Sequence, residues 1–149
     1  MKLLMKNFKE SKPQKFVRNH VLWILIFAMI AANFAVSIAL IPAIISIKGE
    51  NLFLILAITG IFFGLLFELV IRSVEHFDKR HHIFLGIIMP LIAIANFLFI
   101  TRMASSISLS LDLGELSSPI LIPIIYAISF TLPYILSKFI LGYGYYSSE

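Results

Sequence analysis

Long apolar blocks alternate with short polar segments along this 149-residue chain. Each of four blocks reaches or approaches the ~20 residues that a helix needs to cross a ~30 Å hydrocarbon core at 1.5 Å per residue. Because a bilayer offers no partner for free backbone N–H and C=O groups, blocks of this length predict α-helices. The pattern predicts an all-α integral membrane protein, a four-transmembrane-helix bundle with short loops over residues 21–149, with approximate spans 21–47, 52–71, 83–104 and 119–141.

Composition favours the bilayer over water as the solvent of this chain. Hydrophobic residues make up 60% and charged residues 13% of it, whereas soluble domains have ~45–50% apolar and ~25% charged residues. So few charges would not cover the surface of a soluble domain. The absence of cysteine excludes disulfides, thiolate metal sites and cysteine nucleophiles, and no cofactor is expected.

The distribution of Lys and Arg predicts the orientation. Residues 1–20 carry six of them, and Arg72, Lys79 and Arg80 lie around the segment between blocks two and three. The segment 105–118 carries none. The positive-inside rule therefore predicts a multi-pass protein of the cell membrane whose amino and carboxyl termini are both cytoplasmic.

Two interpretations apply to the basic tail of residues 1–20. It is either a solvated orientation signal or, with Met1, Leu4, Met5 and Phe8 on one side, a short amphipathic helix at the membrane interface. Anionic lipid is the expected partner of this tail. Nucleic acid is not expected, because the basic stretch lacks the interleaved aromatic residues of a nucleic-acid platform.

Small residues predict two helix-packing faces. Gly60 and Gly64 form a GxxxG motif in block two, and Ala31 and Ala35 lie on one side of block one. Small side chains let two helices approach closely, and this packing replaces the hydrophobic force that lipid removes. Each face serves either inside the bundle or between subunits, so a membrane-protein partner or a homo-oligomer is expected.

Several polar side chains fall within the spans: Asn33, Asn96, Glu68, Tyr126 and Ser129. Interhelical hydrogen bonds of such groups average only about 0.6 kcal/mol, so they tune helix packing more often than they bind cargo. Asn33 and Asn96 stand in the similar segments IAANF and IAIANF. Chance explains this similarity, or the chain is two helical hairpins in parallel repeat with both amides at similar depth. Block four carries further hydroxyls, including Tyr134 and Ser137, and is the helix expected to line any polar cavity.

Charged residues at the end of block two form a stripe: Glu68, Arg72, Glu75 and Lys79. Their 4-3-4 spacing places them on one face of a helix, and both ion pairs have the favourable i, i+4 order. The stripe predicts that block two continues as a helix beyond the membrane boundary. We interpret it as a self-neutralised helix exit, with a partner-docking face or a proton or cation gate as the alternatives.

The same segment carries the candidates for a metal site: Glu75, Asp78, His81 and His82. On one continuous helix Glu75, Asp78 and His82 would share a face. The chain contains no HExxH or HxxxH pair, however, so the spacing differs from that of a preorganised zinc site. A solvated loop or a pH-sensing loop is the alternative, because imidazole titrates near neutral pH.

The sequence contains no catalytic or nucleotide-binding motif that rises above chance, and the protein is not expected to be an enzyme. The leading hypothesis is a subunit, anchor or assembly factor of a larger membrane complex, because ionisable residues are missing from the centres of the spans. A small oligomeric transporter or channel is the first alternative. A metal-dependent enzyme at the cytoplasmic membrane interface is the second.

Overall fold

Helices make up all the secondary structure of the described part of the chain. The computed structural model describes residues 12–74, 77–112 and 119–140, with side chains from Phe16 onward. The elements are α1 (Lys12–Ala39), α2 (Ile41–Ser46), α3 (Glu50–Ser73), α4 (Lys79–Ser110), α5 (Leu121–Ile135) and a π-helical turn (Leu136–Ile140). Four helical stretches are long and apolar enough to cross a membrane: Phe16–Ala39, Glu50–Ser73, Lys79–Ser110 and Leu121–Ile140. The prediction of an all-helical chain with four helices of this kind is confirmed.

The first helix extends beyond the predicted span at its amino end. The described residues are helical from Lys12 onward, nine residues before residue 21. Residues 12–20 are therefore helical, whereas the proposed interfacial stripe of residues 1–8 lies outside the described residues. The helix ends at Ala39, and Pro42 lies in the first turn of α2. Proline cannot donate a hydrogen bond to the carbonyl four residues back, so Pro42 cannot continue α1.

The charged stripe does not lie on one helix. α3 ends at Ser73, and Val74 is extended, with φ −90° and ψ 95°. A new helix then begins after Asp78, whose carbonyl accepts the backbone N–H groups of His81 and His82. The prediction that Glu68, Arg72, Glu75 and Lys79 share one continuous helix is corrected accordingly: the first two lie on α3, Lys79 begins α4, and Glu75 lies outside the described residues. Asp78 makes no side-chain capping hydrogen bond, and its carboxylate pairs with Arg18 of α1 instead. This contact with another helix competes with continuation of α3.

The helices pack in the order α1, α4, α5, α3, so that α5 lies between α4 and α3. Two glycines allow the close approach of α3 to α5. A Cβ atom at Gly60 would lie 2.7 Å from Ser129 Cβ, and one at Gly64 would overlap the carbonyl oxygen of Phe130. In the described chain α1 and α3 are not close partners, although they would form the first hairpin of the repeat hypothesis.

Contacts between helices define the two ends of the bundle. Arg18, near the start of α1, pairs with Asp78 before α4 at 3.3 Å. Ser137, near the end of the chain's last helical stretch, donates a hydrogen bond to Glu68 near the end of α3. Both contacts lie at the same end of the bundle. We call it the basic end, because it carries Arg18, Arg72, Lys79, Arg80 and Lys138. The opposite end, with Lys48, Glu50, Arg102 and Asp112, is called the far end.

Candidate functional site

Glu68 is the centre of a buried polar cluster at the basic end. Its side chain is 4% exposed, and its Oε1 atom accepts hydrogen bonds from Arg72 Nε at 3.1 Å and Arg72 Nη2 at 2.9 Å. The hydroxyl of Ser137 donates to the same oxygen and lies 3.2 Å from Arg72 Nη2, from which it accepts. The i, i+4 ion pair of α3 is thereby tied to the π-helical turn, and the cluster joins two helical stretches.

Lys138 brings a second cation to this cluster. The residue is 3% exposed, and its charge interacts with those of Glu68 and Arg72. Within the described residues no ion pair closer than 4 Å involves it. Among the described residues, Glu68 is thus the carboxylate that interacts with both cations. Because removing one partner of a buried charged group leaves the other uncompensated, Glu68 is the group on which the cluster depends.

His82 and Tyr134 connect α4 to α5 beside this cluster. Tyr134 Oη lies 2.9 Å from His82 Nδ1 and 3.2 Å from the carbonyl oxygen of His82. Both contacts are hydrogen bonds when Nδ1 carries a proton and donates to Oη, while the Tyr134 hydroxyl donates to the carbonyl. Both residues are buried. The histidine is therefore used in helix packing and does not face solvent.

Two buried oxygen atoms make no hydrogen bond with any described residue: Asn33 Oδ1 and Tyr126 Oη. The amide nitrogen of Asn33 donates to the carbonyl of Met29 on its own helix at 2.8 Å. Tyr126 stacks its ring on Phe97 with a centroid distance of 3.9 Å. A buried polar atom without a partner costs roughly 1–3 kcal/mol. These two atoms therefore carry a cost of burial that the described groups do not offset.

Asn96 and Ser129 occupy different surroundings. Asn96 is half-buried and donates to the carbonyl of Ile92 at 3.0 Å, the same local bond that Asn33 makes. Phe34 and Phe99 pack together with centroids 6.5 Å apart, and Asn33 and Asn96 precede them by one and three residues on α1 and α4. Ser129 is buried where α5 faces Gly60.

The two small-residue faces lie in different environments. Gly60 and Gly64 are buried against α5. Ala31 and Ala35, in contrast, are exposed, as are Ala28 and Ala39 on the same side of α1. We call these four residues the alanine face. The glycines are thus used inside the bundle, whereas no described helix of the chain covers the alanine face.

The metal candidates do not converge. Asp78 pairs with Arg18 and lies 4.0 Å from His81 Nδ1, whereas His82 turns inward to Tyr134. Glu75 lies outside the described residues. Residues 12–74, 77–112 and 119–140 contain no group of three His, Cys, Asp or Glu side chains that could hold a metal ion.

Sequence reasoning did not identify the partners that complete the polar cluster. Ser137 lies 69 residues and Tyr134 52 residues from the side chains that they contact. The available signal was the concentration of hydroxyls on block four. Comparison with known proteins adds no further guide, since no protein-family model, no curated protein and no solved structure matches this chain. Chemically, the cluster presents groups already engaged with one another, an arrangement suited to holding helices together.

Proposed function

We propose that this chain is a multi-pass integral membrane protein of the cell membrane with both ends in the cytoplasm. Four helices long and apolar enough to cross a bilayer support the membrane location. The concentration of Lys and Arg at the basic end supports the orientation, since the segment 105–118 carries neither. Reporter fusions test it: an amino terminus and a 105–118 segment in the same compartment would contradict the proposal.

Within the membrane, we propose that the protein is a non-catalytic subunit, anchor or assembly factor of a larger membrane complex. The observation that carries this proposal is the alanine face of α1, which is exposed at the end of the helix row. At the basic end Arg18 joins α1 to Asp78, whereas the alanine face farther along α1 stays exposed, so this face is available to a partner. Ala31 and Ala35 would allow a transmembrane helix of that partner to approach closely.

Affinity purification in a mild detergent tests this function. We expect a membrane-protein partner, or a second copy of the chain, to be recovered at fixed stoichiometry with the wild type. Ala35→Leu should abolish the recovery, because the larger side chain separates the two helices. Ala95→Leu is the matched control, since Ala95 is also exposed but lies on α4. A wild-type monomer without a partner, or an Ala35→Leu variant that keeps the partner, would contradict the proposal.

A small oligomeric transporter or channel is the second candidate function. Asn33 Oδ1 and Tyr126 Oη favour it, because they are buried polar atoms that no described group satisfies. Flux of ions and small solutes into reconstituted liposomes is the measurement. We expect Asn33→Ala to reduce the flux and Asn96→Ala, which removes an amide making the same local bond, to leave it unchanged. Liposomes without flux, or equal effects of both variants, would exclude this role.

A further inference from the structure

A wholly apolar groove of about 220 Å³ lies between α4 and α5 on the outside of the bundle. Pro90 and Ile94 form one wall, and Ile124, Ile128 and Ile135 belong to the other. Thr131 also lines the groove, but its hydroxyl donates to the carbonyl of Ala127 at 2.8 Å. The groove therefore offers no polar group to a ligand, and only an apolar occupant is stabilised there.

The same side of α4 leads from this groove to two cations at the basic end. Lys79 and Arg80 begin α4 and are exposed. Steps of three or four residues place them on one stripe with Ile83, Ile87 and Pro90. Ile83 and Ile87 are both exposed, at 42% and 57%. A continuous track thus runs along α4 from a basic pair, over apolar side chains, to the groove.

The dimensions of this track match one leaflet of a bilayer. Eleven residues separate Lys79 from Pro90, or roughly 16 Å at 1.5 Å per residue. Half of a ~30 Å hydrocarbon core is ~15 Å. A phosphate held at the basic pair would therefore place the end of its acyl chain at the groove. On the other wall, residues Ile124 and Ile135 are also about 16 Å apart along α5.

We propose that the groove between α4 and α5 binds an acyl chain of an anionic phospholipid whose phosphate is held by Lys79 and Arg80. The proposal rests on the membrane location proposed above. The lipid is anionic because two adjacent cations complement a phosphodiester that carries a net negative charge, whereas a zwitterionic headgroup brings its own ammonium to the site. The acyl chain, and not a protein helix, suits a track that starts at a charged interface and ends at mid-bilayer depth.

Native mass spectrometry of the full-length protein tests this site. The protein is equilibrated in mild detergent with equal amounts of phosphatidylglycerol and phosphatidylethanolamine of identical acyl chains, and the retained lipids are counted. We expect phosphatidylglycerol to be retained preferentially. The double variant Lys79→Gln/Arg80→Gln should lower that preference by about thirty-fold, or about five-fold for each charge. The matched control Lys48→Gln/Arg102→Gln removes the same charge from the far end and should leave the preference unchanged.

A second pair of variants tests the groove itself. Ile128→Trp should fill the groove and reduce retention of phosphatidylglycerol at least ten-fold. Ile58→Trp, at a comparably exposed position on α3 (60% against 61%), should not. All substituted positions are exposed, and circular dichroism verifies that each variant keeps its helix content.

Two results would overturn the lipid site: retention independent of the headgroup, or equal retention by Ile128→Trp and wild type. The membrane location fails separately, if the protein is recovered in the soluble fraction or is released from membranes by alkaline carbonate. A protein that stays in the membrane but shows no lipid preference would therefore overturn the lipid site alone.

Discussion

Replacing each of two buried tyrosines on α5 by phenylalanine should have different effects on stability. Tyr126 and Tyr134 are both fully buried. Tyr134 Oη makes two hydrogen bonds with His82, whereas Tyr126 Oη makes none with the described residues. The substitution removes one oxygen atom in both cases and keeps the aromatic ring. The pair therefore isolates the contribution of hydrogen bonding from that of packing.

The expected magnitudes follow from these contacts. Tyr134→Phe loses both hydrogen bonds and leaves His82 Nδ1 buried without its partner, so the free energy of unfolding should fall by about 1–2 kcal/mol. Tyr126→Phe removes a buried hydroxyl that is already unsatisfied. Its free energy of unfolding should stay unchanged or rise by up to about 1 kcal/mol. The two variants should thus differ by about 2 kcal/mol.

Unfolding by SDS in mixed micelles, followed by circular dichroism, measures both free energies under one condition. The double variant Tyr126→Phe/Tyr134→Phe serves as an additivity check. A loss of stability in Tyr126→Phe as large as that in Tyr134→Phe would refute the reasoning, because it would mean that the Tyr126 hydroxyl is satisfied in the folded protein. Equal stability of Tyr134→Phe and wild type would refute the assigned bond to His82.

Three further substitutions test the packing and the charges in the same assay. Gly64→Ala should destabilise the bundle by at least ~2 kcal/mol, because its methyl group would overlap the Phe130 carbonyl. Gly86→Ala should be tolerated, since its Cβ would lie 3.5 Å from the nearest atom, in the ring of Phe139. Glu68→Leu should cost about 2–3 kcal/mol, because it removes the carboxylate that Arg72 and Ser137 share and that interacts with the charge of buried Lys138. Adding Lys138→Leu should restore part of the loss, and a double variant as unstable as the single one would contradict this. Gly49→Ala should cost ~1–3 kcal/mol through backbone strain alone, because Gly49 has φ +71° and ψ −145°. The new methyl group would have nothing within 4 Å beyond its chain neighbours. An unchanged stability would refute the strain.

The sequence predicts the helices better than it predicts their neighbours. Length and hydropathy are properties of a continuous segment, so four membrane-length helices follow directly from the four blocks. The bounds near residues 40 and 74 depend on competition between continuation of a helix and either Pro42 or the ion pair of Asp78 with Arg18. Such competition is decided by a few kcal/mol or less, which a hydropathy pattern does not measure.

The polar cluster shows the same limit at the level of single side chains. Glu68 and Arg72 lie on one helix, so their contact is encoded in a spacing of four residues. The contacts of Ser137 with Glu68 and of Tyr134 with His82 depend on which helix lies beside which. In a chain whose helices are apolar on most sides, the hydrophobic pattern does not distinguish a lipid-facing side from a protein-facing one. The order α1, α4, α5, α3 therefore has no simple signature in the sequence.

The sequence of helix α5 does contain a signature of its position in the bundle. With the π-helical turn, it is the least apolar of the four long helical stretches and also the most buried. Both properties support the proposed membrane location, because a helix in a bilayer can carry hydroxyls and a lysine only where other helices shield them from lipid. Tyr134, Ser137 and Lys138 are buried at the basic end, and the two hydroxyls have hydrogen-bond partners there. In a chain of this kind, the helix richest in polar residues is thus the one to place at the centre of the bundle.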